Sequence, residues 1–145
     1  MPTKRKTLFL CTGNSARSIF GEYLMNKMAG DRFDALSAGS EPARQVNPLT
    51  IKVLNDVYGI DASRAHTKSW DEFKDKNFDY VITVCDQARA VCPIFPGNAR
   101  TIHWNIPDPA SIEGDEEKKI REFKKAAQEI QRRIKLFLLA LDRNT

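Results

Sequence analysis

Short apolar runs alternate with amphipathic stretches along the chain, and each kind of pattern predicts a different element. Continuous apolar or β-branched runs indicate buried strands, whereas apolar residues spaced three and four apart indicate helices. The predicted strands are residues 6–10, 33–38, 80–84 and 101–104, and the predicted helices are residues 18–28, 48–58, 69–73 and 120–141. This alternation predicts an α/β fold with one open, parallel, four-stranded sheet and helices on both faces.

The last predicted helix has the most regular apolar spacing in the sequence. Its apolar residues lie alternately three and four apart, at Ile120, Phe123, Ala127, Ile130, Ile134, Phe137 and Leu141. The acidic residues 115–117 suit the positive N-terminal end of a helix dipole. This spacing fits either a coiled coil or one amphipathic helix packed on the core, and we expect the second arrangement.

Composition and charge narrow the class of protein. The chain has 145 residues, of which 41% are hydrophobic, and shows no repeat or linker, so we expect a single domain over residues 1–145. The net charge is +4, and the basic residues are spread along the chain and mixed with acidic ones. This distribution favours a solvated surface that attracts anions over a nucleic-acid-binding stripe. No apolar run has membrane-spanning length. Three cysteines without paired spacing indicate neither a disulfide framework nor a zinc site, so we expect a cytoplasmic protein with reduced thiols.

The segment between the first strand and the first helix carries the clearest chemical motif, and we call it the anion cradle. It consists of Cys11, Thr12, Gly13, Asn14, Ser15, Ala16, Arg17 and Ser18. A turn from strand to helix aims backbone N–H groups and the positive helix end at one point, which predicts a site for a tetrahedral oxyanion. The Arg17 guanidinium can bind two anion oxygens, and Gly13 permits a tight turn. The same field should lower the pKa of Cys11 and so supply a nucleophilic thiolate.

Asp108 follows the fourth predicted strand in the sequence Asp-Pro-Ala. Its carboxyl group could protonate an oxygen that leaves the anion as Cys11 attacks. The alternative is an ordinary Asp-Pro turn without a catalytic role. The nearby anion cradle makes the acid role the preferred hypothesis.

Cys85 and Cys92 offer two further thiols. Cys85 ends the third predicted strand and should therefore emerge at the same sheet edge as the anion cradle, although both thiols could instead be buried structural residues. If residues 86–91 are helical, the two α-carbons lie about 10 Å apart, whereas a disulfide requires about 4.4–6.8 Å. A Cys85–Cys92 disulfide would therefore require this segment to unwind, which Pro93 and the turn at 96–97 allow, and the pair would be a redox switch.

Together these motifs resemble the thioredoxin-coupled arsenate reductases, which share the fold of the low-molecular-weight protein tyrosine phosphatases. The resemblance covers nearly the whole chain and rests on residues 11–18, 37–39, 46–48, 66–67, 84–85, 92–93, 103–104 and 108–110. The phosphatases share the anion cradle. The Cys85 and Cys92 pair, and Ala110 where phosphatases usually carry an aromatic residue, resemble the reductases more closely.

The resemblance implies that the protein reduces arsenate to arsenite. Arsenate would bind to the backbone N–H groups of residues 12–17 and to Arg17, and the Cys11 thiolate would attack arsenic while Asp108 protonates the departing hydroxyl. Ser18 would hydrogen bond the thiolate, and Asn14 would hold the shape of the loop.

The resemblance also implies how the adduct is resolved. Cys85 would attack Cys11 and release arsenite, Cys92 would attack Cys85, and thioredoxin would reduce the resulting Cys85–Cys92 disulfide. No cofactor is implied, and we expect a monomer that binds neither nucleic acid nor membranes.

Two other functions fit parts of the pattern. A tyrosine phosphatase would use the same cradle and acid, with water releasing phosphate from Cys11. A non-catalytic sensor would bind arsenite or oxidants through its thiols and would have no need of Asp108.

The chain departs from the arsenate reductases at two places. Some members carry a cysteine where this chain has Ala16, and some bind potassium through residues that resemble Asn14, Glu22 and Ser37 together with an aspartate after His-Thr. This chain has Lys68 there, whose ammonium could replace the cation, so we expect no metal.

Overall fold

The computed structural model describes residues 4–92 and 95–143 and contains the predicted parallel sheet. The strands are β1 (Arg5–Cys11), β2 (Phe33–Gly39), β3 (Tyr80–Thr83) and β4 (Arg100–His103), in the order β2-β1-β3-β4. All neighbouring pairs are parallel, so the carboxyl ends of the strands meet at one edge. The open α/β fold expected from the alternating pattern is confirmed.

Three helices lie close to their predicted positions, namely α1 (Arg17–Ala29), α2 (Pro48–Tyr58) and α4 (Glu116–Arg143). A short helix at residues 86–91, which the sequence left as a condition, is present as α3 (Asp86–Val91). The predicted helix at residues 69–73 is a 3₁₀ turn at Trp70–Phe73, and a second 3₁₀ turn covers Pro109–Ser111. The Pro109–Ser111 turn, with Asp108 as its cap, is the Asp-Pro turn that the sequence offered as an alternative. The β3 and β4 strands end one residue early, although the N–H groups of Val84 and Trp104 continue the ladder to Leu10 and Thr83.

Local signals explain the bounds of α2. The Asn47 side chain accepts a hydrogen bond from the Leu49 N–H at 2.9 Å, and Pro48 occupies the first turn. Gly59 ends the helix with φ at 65°, a left-handed conformation that glycine adopts without strain. The N–H of Gly59 donates to the backbone oxygens of the last turn.

Helix α4 packs its apolar seam against α1 and α2, and its Phe137 ring reaches the sheet. Its buried residues are Phe123, Ala126, Ala127, Ile130, Ile134 and Leu138. The Phe137 ring lies 4.9 Å from the Tyr80 ring and 6.4 Å from the Trp104 ring, centroid to centroid. The seam therefore belongs to the core of this chain, as expected of an amphipathic helix.

Helix α1 approaches β1 closely because Gly21 lies over the Phe9 ring. A Cβ at Gly21 would lie 2.4 Å from a carbon of that fully buried ring, which leaves no room for any side chain. This contact sets the angle at which α1 leaves the end of β1, where the anion cradle lies.

We predict that Gly21→Ala lowers the free energy of unfolding by about 1–3 kcal/mol, because overpacking outweighs the gain in helix propensity of about 1 kcal/mol. Urea unfolding measures the change. The double variant Gly21→Ala with Phe9→Leu should recover part of the loss, because the smaller side chain makes room. A Gly21→Ala variant as stable as the wild type would contradict this account of the packing.

Candidate active site

The anion cradle lies between the carboxyl end of β1 and the start of α1, as predicted. Cys11 is the last residue of β1, and its Sγ lies 2.8 Å from Ser18 Oγ in the first turn of α1. The Asn14 N–H donates to the same sulfur at 3.1 Å. The loop between them therefore curls around the thiol and directs polar groups toward it.

Asn14 supports the cradle from within. It is fully buried and has φ at 51°, a left-handed conformation that asparagine tolerates better than most residues. Its side-chain nitrogen donates to Ser18 Oγ at 2.8 Å and to Ser37 Oγ at 3.0 Å, and its side-chain oxygen accepts from the Lys68 N–H at 2.8 Å. One amide thus joins the cradle to β2 and to the loop after α2.

The segment after β2 forms the second wall of the cradle. The N–H groups of Ser40, Glu41 and Ala43 donate to the carbonyl oxygens of residues 11, 12 and 13 at 2.9–3.1 Å. A Cβ at Gly39 would lie 2.5 Å from the Thr12 carbonyl oxygen, so only glycine permits this approach. Gly39 and this wall carry no catalytic signal in the sequence, since the carbonyl pairing depends on the fold.

The remaining cradle residues contribute mostly through the backbone. The Ser15 carbonyl accepts hydrogen bonds from the Thr50 hydroxyl and the Asn47 N–H, which fixes the loop to α2. Ala16 is buried at the N-terminal end of α1 and makes no side-chain cap. Gly13 has space around it, with no atom closer than 3.6 Å to a built Cβ.

The expected lowering of the Cys11 pKa is wrong for this arrangement. Burial raises the pKa of the Cys11 thiol above its ordinary value. The hydrogen bonds from Ser18 and Asn14 and the charge of Arg17 act in the opposite direction but do not outweigh burial. Sequence position alone could not show how fully the surrounding segments cover the sulfur.

Arg17 and Asp108 meet at the mouth of the cradle. Arg17 Nη2 lies 3.8 Å from Asp108 Oδ2, and Arg17 Nη1 donates to the Ile106 carbonyl oxygen at 3.0 Å. Asp108 Oδ1 also accepts from the Ala110 N–H at 3.0 Å, so the residue caps a turn. The turn itself thus places the carboxyl group beside Arg17.

Cys85 reaches the cradle, whereas Cys92 lies at the other end of α3. Cys85 Sγ is 3.3 Å from Thr12 Oγ1 and accepts a hydrogen bond from the Ala88 N–H at 3.4 Å. Cys92 is half-buried, and burial raises its pKa. None of the three cysteines forms a disulfide, and the intact α3 separates Cys85 from Cys92. Pro93, a predicted aid to unwinding, lies outside the described residues.

Lys68 lies behind the cradle, at the position where the resemblance predicted that an ammonium replaces a cation. Its side chain is 10% exposed, and its Nζ lies 3.8 Å from Glu22 Oε1 and donates to the His66 carbonyl at 2.8 Å. The Ser37 hydroxyl donates to the same Glu22 oxygen at 2.6 Å. Burial lowers the pKa of Lys68, while the charge of Glu22 raises it. The ammonium thus balances Glu22 behind the cradle.

Known proteins share both this sequence pattern and this fold. The pattern of the family described as low molecular weight phosphotyrosine protein phosphatase matches residues 6–145. The chain belongs to this family.

Relatives in the low molecular weight phosphatase family carry two kinds of name. An arsenate reductase from Halalkalibacterium halodurans is 41% identical over 134 residues, which cover 92% of this chain and 95% of the relative. The structure of a thioredoxin-dependent arsenate reductase from Corynebacterium glutamicum matches with 30% identity and a TM-score of 0.63, over 92% of this chain and 63% of that one. A low molecular weight protein tyrosine phosphatase from T. tengcongensis matches with 25% identity and a TM-score of 0.76, over 94% and 99%. The family and fold implied by the motifs are confirmed.

The described residues contain neither a membrane-spanning helix nor a metal-binding cluster. Within residues 4–92 and 95–143, no helix is long and apolar enough to cross a bilayer. Over the same ranges, no three His, Cys, Asp or Glu side chains are arranged to hold a metal ion.

We predict that alkylation of Cys11 by iodoacetamide rises with pH through a midpoint above the ordinary thiol pKa, because burial disfavours the thiolate. The measurement uses the variant Cys85→Ser with Cys92→Ser, which leaves one thiol. Adding Ser18→Ala should move the midpoint further upward, because it removes a hydrogen bond that stabilises the thiolate. A midpoint below the ordinary value would show that the field of the cradle outweighs burial.

We also predict that Lys68→Met lowers the free energy of unfolding by about 1–3 kcal/mol, because it leaves the Glu22 carboxylate largely buried and unbalanced. Glu22→Gln in the same chain should restore most of the loss, since no charge then remains to be balanced. Urea unfolding in potassium and in sodium chloride provides a second comparison. Potassium should stabilise Lys68→Met more than it stabilises the wild type, and equal responses would contradict the balancing role.

Proposed function

We propose that this protein reduces arsenate to arsenite through a relay of Cys11, Cys85 and Cys92. The observation that carries the proposal is the distance of 3.3 Å between Cys85 Sγ and Thr12 Oγ1. This contact places a second thiol against the residue that follows Cys11, where it could resolve an adduct on Cys11 without water. The arsenate reductases among its relatives support the same chemistry.

The first step is substitution at arsenic. A dianionic arsenate in the cradle accepts the proton of the Cys11 thiol, whose pKa is raised by burial. The thiolate then attacks arsenic and an S–As bond forms, while one oxygen leaves as water with a proton from Asp108. Arg17 and the N–H groups of the loop stabilise the anion as the charge shifts.

In the next two steps a thiol attacks a sulfur atom: the first attack forms a Cys11–Cys85 disulfide, and the second is a thiol–disulfide exchange. Cys85 attacks Cys11 Sγ, the S–As bond breaks, and its electron pair stays on arsenic, which leaves as arsenite with the proton of Cys85. Cys92 then attacks Cys85, frees the Cys11 thiol and forms a Cys85–Cys92 disulfide. Two thiols are thus oxidised as one arsenate is reduced by two electrons.

The last exchange requires movement of α3. In a helix, residues seven apart have α-carbons about 10 Å apart, beyond the reach of a disulfide of about 4.4–6.8 Å. A cavity of about 340 Å³ beside Cys92 leaves space for the segment to rearrange; it is lined by Val81, Arg89, Cys92, Phe95, Gly97, Ala99 and Thr101. A thioredoxin dithiol would reduce the exposed disulfide, which places the protein in a compartment with reduced thiols, the cytoplasm.

Phosphatase activity is the second candidate function. The pair formed by Arg17 and Asp108 at the mouth of the cradle supports it, because that arrangement also suits cleavage of a phosphate ester. We propose it as a side activity, in which water releases phosphate from Cys11.

We predict that Cys92→Ser abolishes continuous arsenite production with thioredoxin, thioredoxin reductase and NADPH. The variant should still release one arsenite per molecule, because Cys11 and Cys85 complete the first two steps. Hydrolysis of p-nitrophenyl phosphate by the same variant serves as the control for an intact cradle and should be unchanged. Continuous turnover by Cys92→Ser would refute the three-thiol relay. A wild-type protein that does not reduce arsenate would refute the proposed function.

A further inference from the structure

A hydrogen-bonded group outside the anion cradle lies at the start of α3. His103 Nδ1 is 2.8 Å from Thr83 Oγ1, and His103 Nε2 is 2.9 Å from Asp86 Oδ1. None of these three residues has a role in the relay proposed above. Asp86, however, is the first residue of α3 and directly follows Cys85.

The sheet explains how the group assembles. Thr83 and His103 are register partners at the ends of β3 and β4, so their side chains project from the same face. Asp86 comes from the following helix to meet the imidazole. The three residues thus connect two strands to the redox segment.

The donors and acceptors of the group match. The Thr83 hydroxyl donates to Nδ1 of His103, which leaves the Nε2–H to donate to the Asp86 carboxylate. Thr83 is fully buried and the His103 side chain is 16% exposed, whereas the Asp86 side chain is 77% exposed. The imidazole is thus fixed from the buried side and holds a carboxylate that would otherwise be free to move with the helix.

Helix α3 depends on contacts of this kind. It has six residues, and so short a helix is not stable by itself in water. Its first turn also directs Cys85, because the Ala88 N–H donates to Cys85 Sγ. A contact that fixes Asp86 therefore favours the helical segment in which Cys85 lies beside Thr12.

We propose that His103 is a positioning residue that holds α3 helical in the dithiol form through Asp86, and that this contact is lost when the Cys85–Cys92 disulfide forms. The inference rests on the proposed relay. The contact would stabilise the dithiol form against the disulfide form. It would thereby keep Cys85 directed at the cradle until the adduct on Cys11 has formed.

Redox equilibrium tests the proposal in a Cys11→Ser chain, where Cys85 and Cys92 are the remaining thiols. The protein dithiol is equilibrated with oxidised dithiothreitol, so that one protein disulfide forms for each dithiothreitol reduced. Asp86→Asn and, separately, His103→Gln should shift the equilibrium about threefold to tenfold toward the protein disulfide. A tenfold shift lowers the reduction potential by about 30 mV.

Asp71→Asn is the matched control, because Asp71 also lies in the first turn of a short helical segment and pairs with Lys74 at 2.8 Å. It should leave the equilibrium unchanged. Hydrogen exchange of the dithiol form adds a second readout, in which the α3 amides should exchange faster in Asp86→Asn than in Asp71→Asn. Because the Asp86 side chain is 77% exposed, its substitution should leave the fold intact. A loss of stability that the dithiol and disulfide forms share would not move the redox equilibrium.

The outcomes separate the two proposals. A disulfide that forms with an unchanged equilibrium constant in Asp86→Asn and His103→Gln would overturn the role of His103 and leave the relay standing. Failure of the parent Cys11→Ser chain to form any Cys85–Cys92 disulfide would overturn both.

Discussion

The side-chain amide of Asn14 is the interaction on which the rest of the site depends. It is buried, holds a left-handed backbone, and uses both its nitrogen and its oxygen in hydrogen bonds that reach Ser18, Ser37 and Lys68. These bonds stabilise the left-handed conformation of Asn14, because a non-glycine residue with positive φ persists where its surroundings fix it. The position of the Cys11 sulfur, the Ser18 hydroxyl and the cradle N–H groups follows from this one side chain.

The same burial that organises the cradle also works against ionisation of its thiol. Burial raises the pKa of Cys11, and hydrogen bonds from Ser18 and Asn14 offset only part of the effect. Such a site is suited to an anion that arrives with a basic oxygen, because the substrate itself can take the thiol proton. Burial and the demand for a basic substrate oxygen are in this view two consequences of one geometry.

Local patterns predicted those parts of the molecule that depend on neighbouring residues. The four strands follow from apolar runs, α2 from its Asn47 cap and Gly59 end, and the cradle from its place between β1 and α1. The sequence could not show other contacts between distant segments, such as the close approach of Gly39 to the Thr12 carbonyl or the hydrogen bond of His103 with Asp86. The wrong expectation for the Cys11 pKa has the same origin, because burial is a property of the assembled fold.

The short length of α3 gives a physical reason for the order of the proposed thiol exchanges. While α3 is helical, Cys85 faces Thr12 and Cys92 is held away from it, so only Cys85 can approach an adduct on Cys11. Six helical residues add little stability of their own, so the contacts at the ends of the segment set the cost of unwinding. A longer helix would separate the thiols permanently, and an unstructured loop would let Cys85 and Cys92 pair before substrate binds. A short helix fixed by side chains at its first turn permits the separation first and the pairing afterwards.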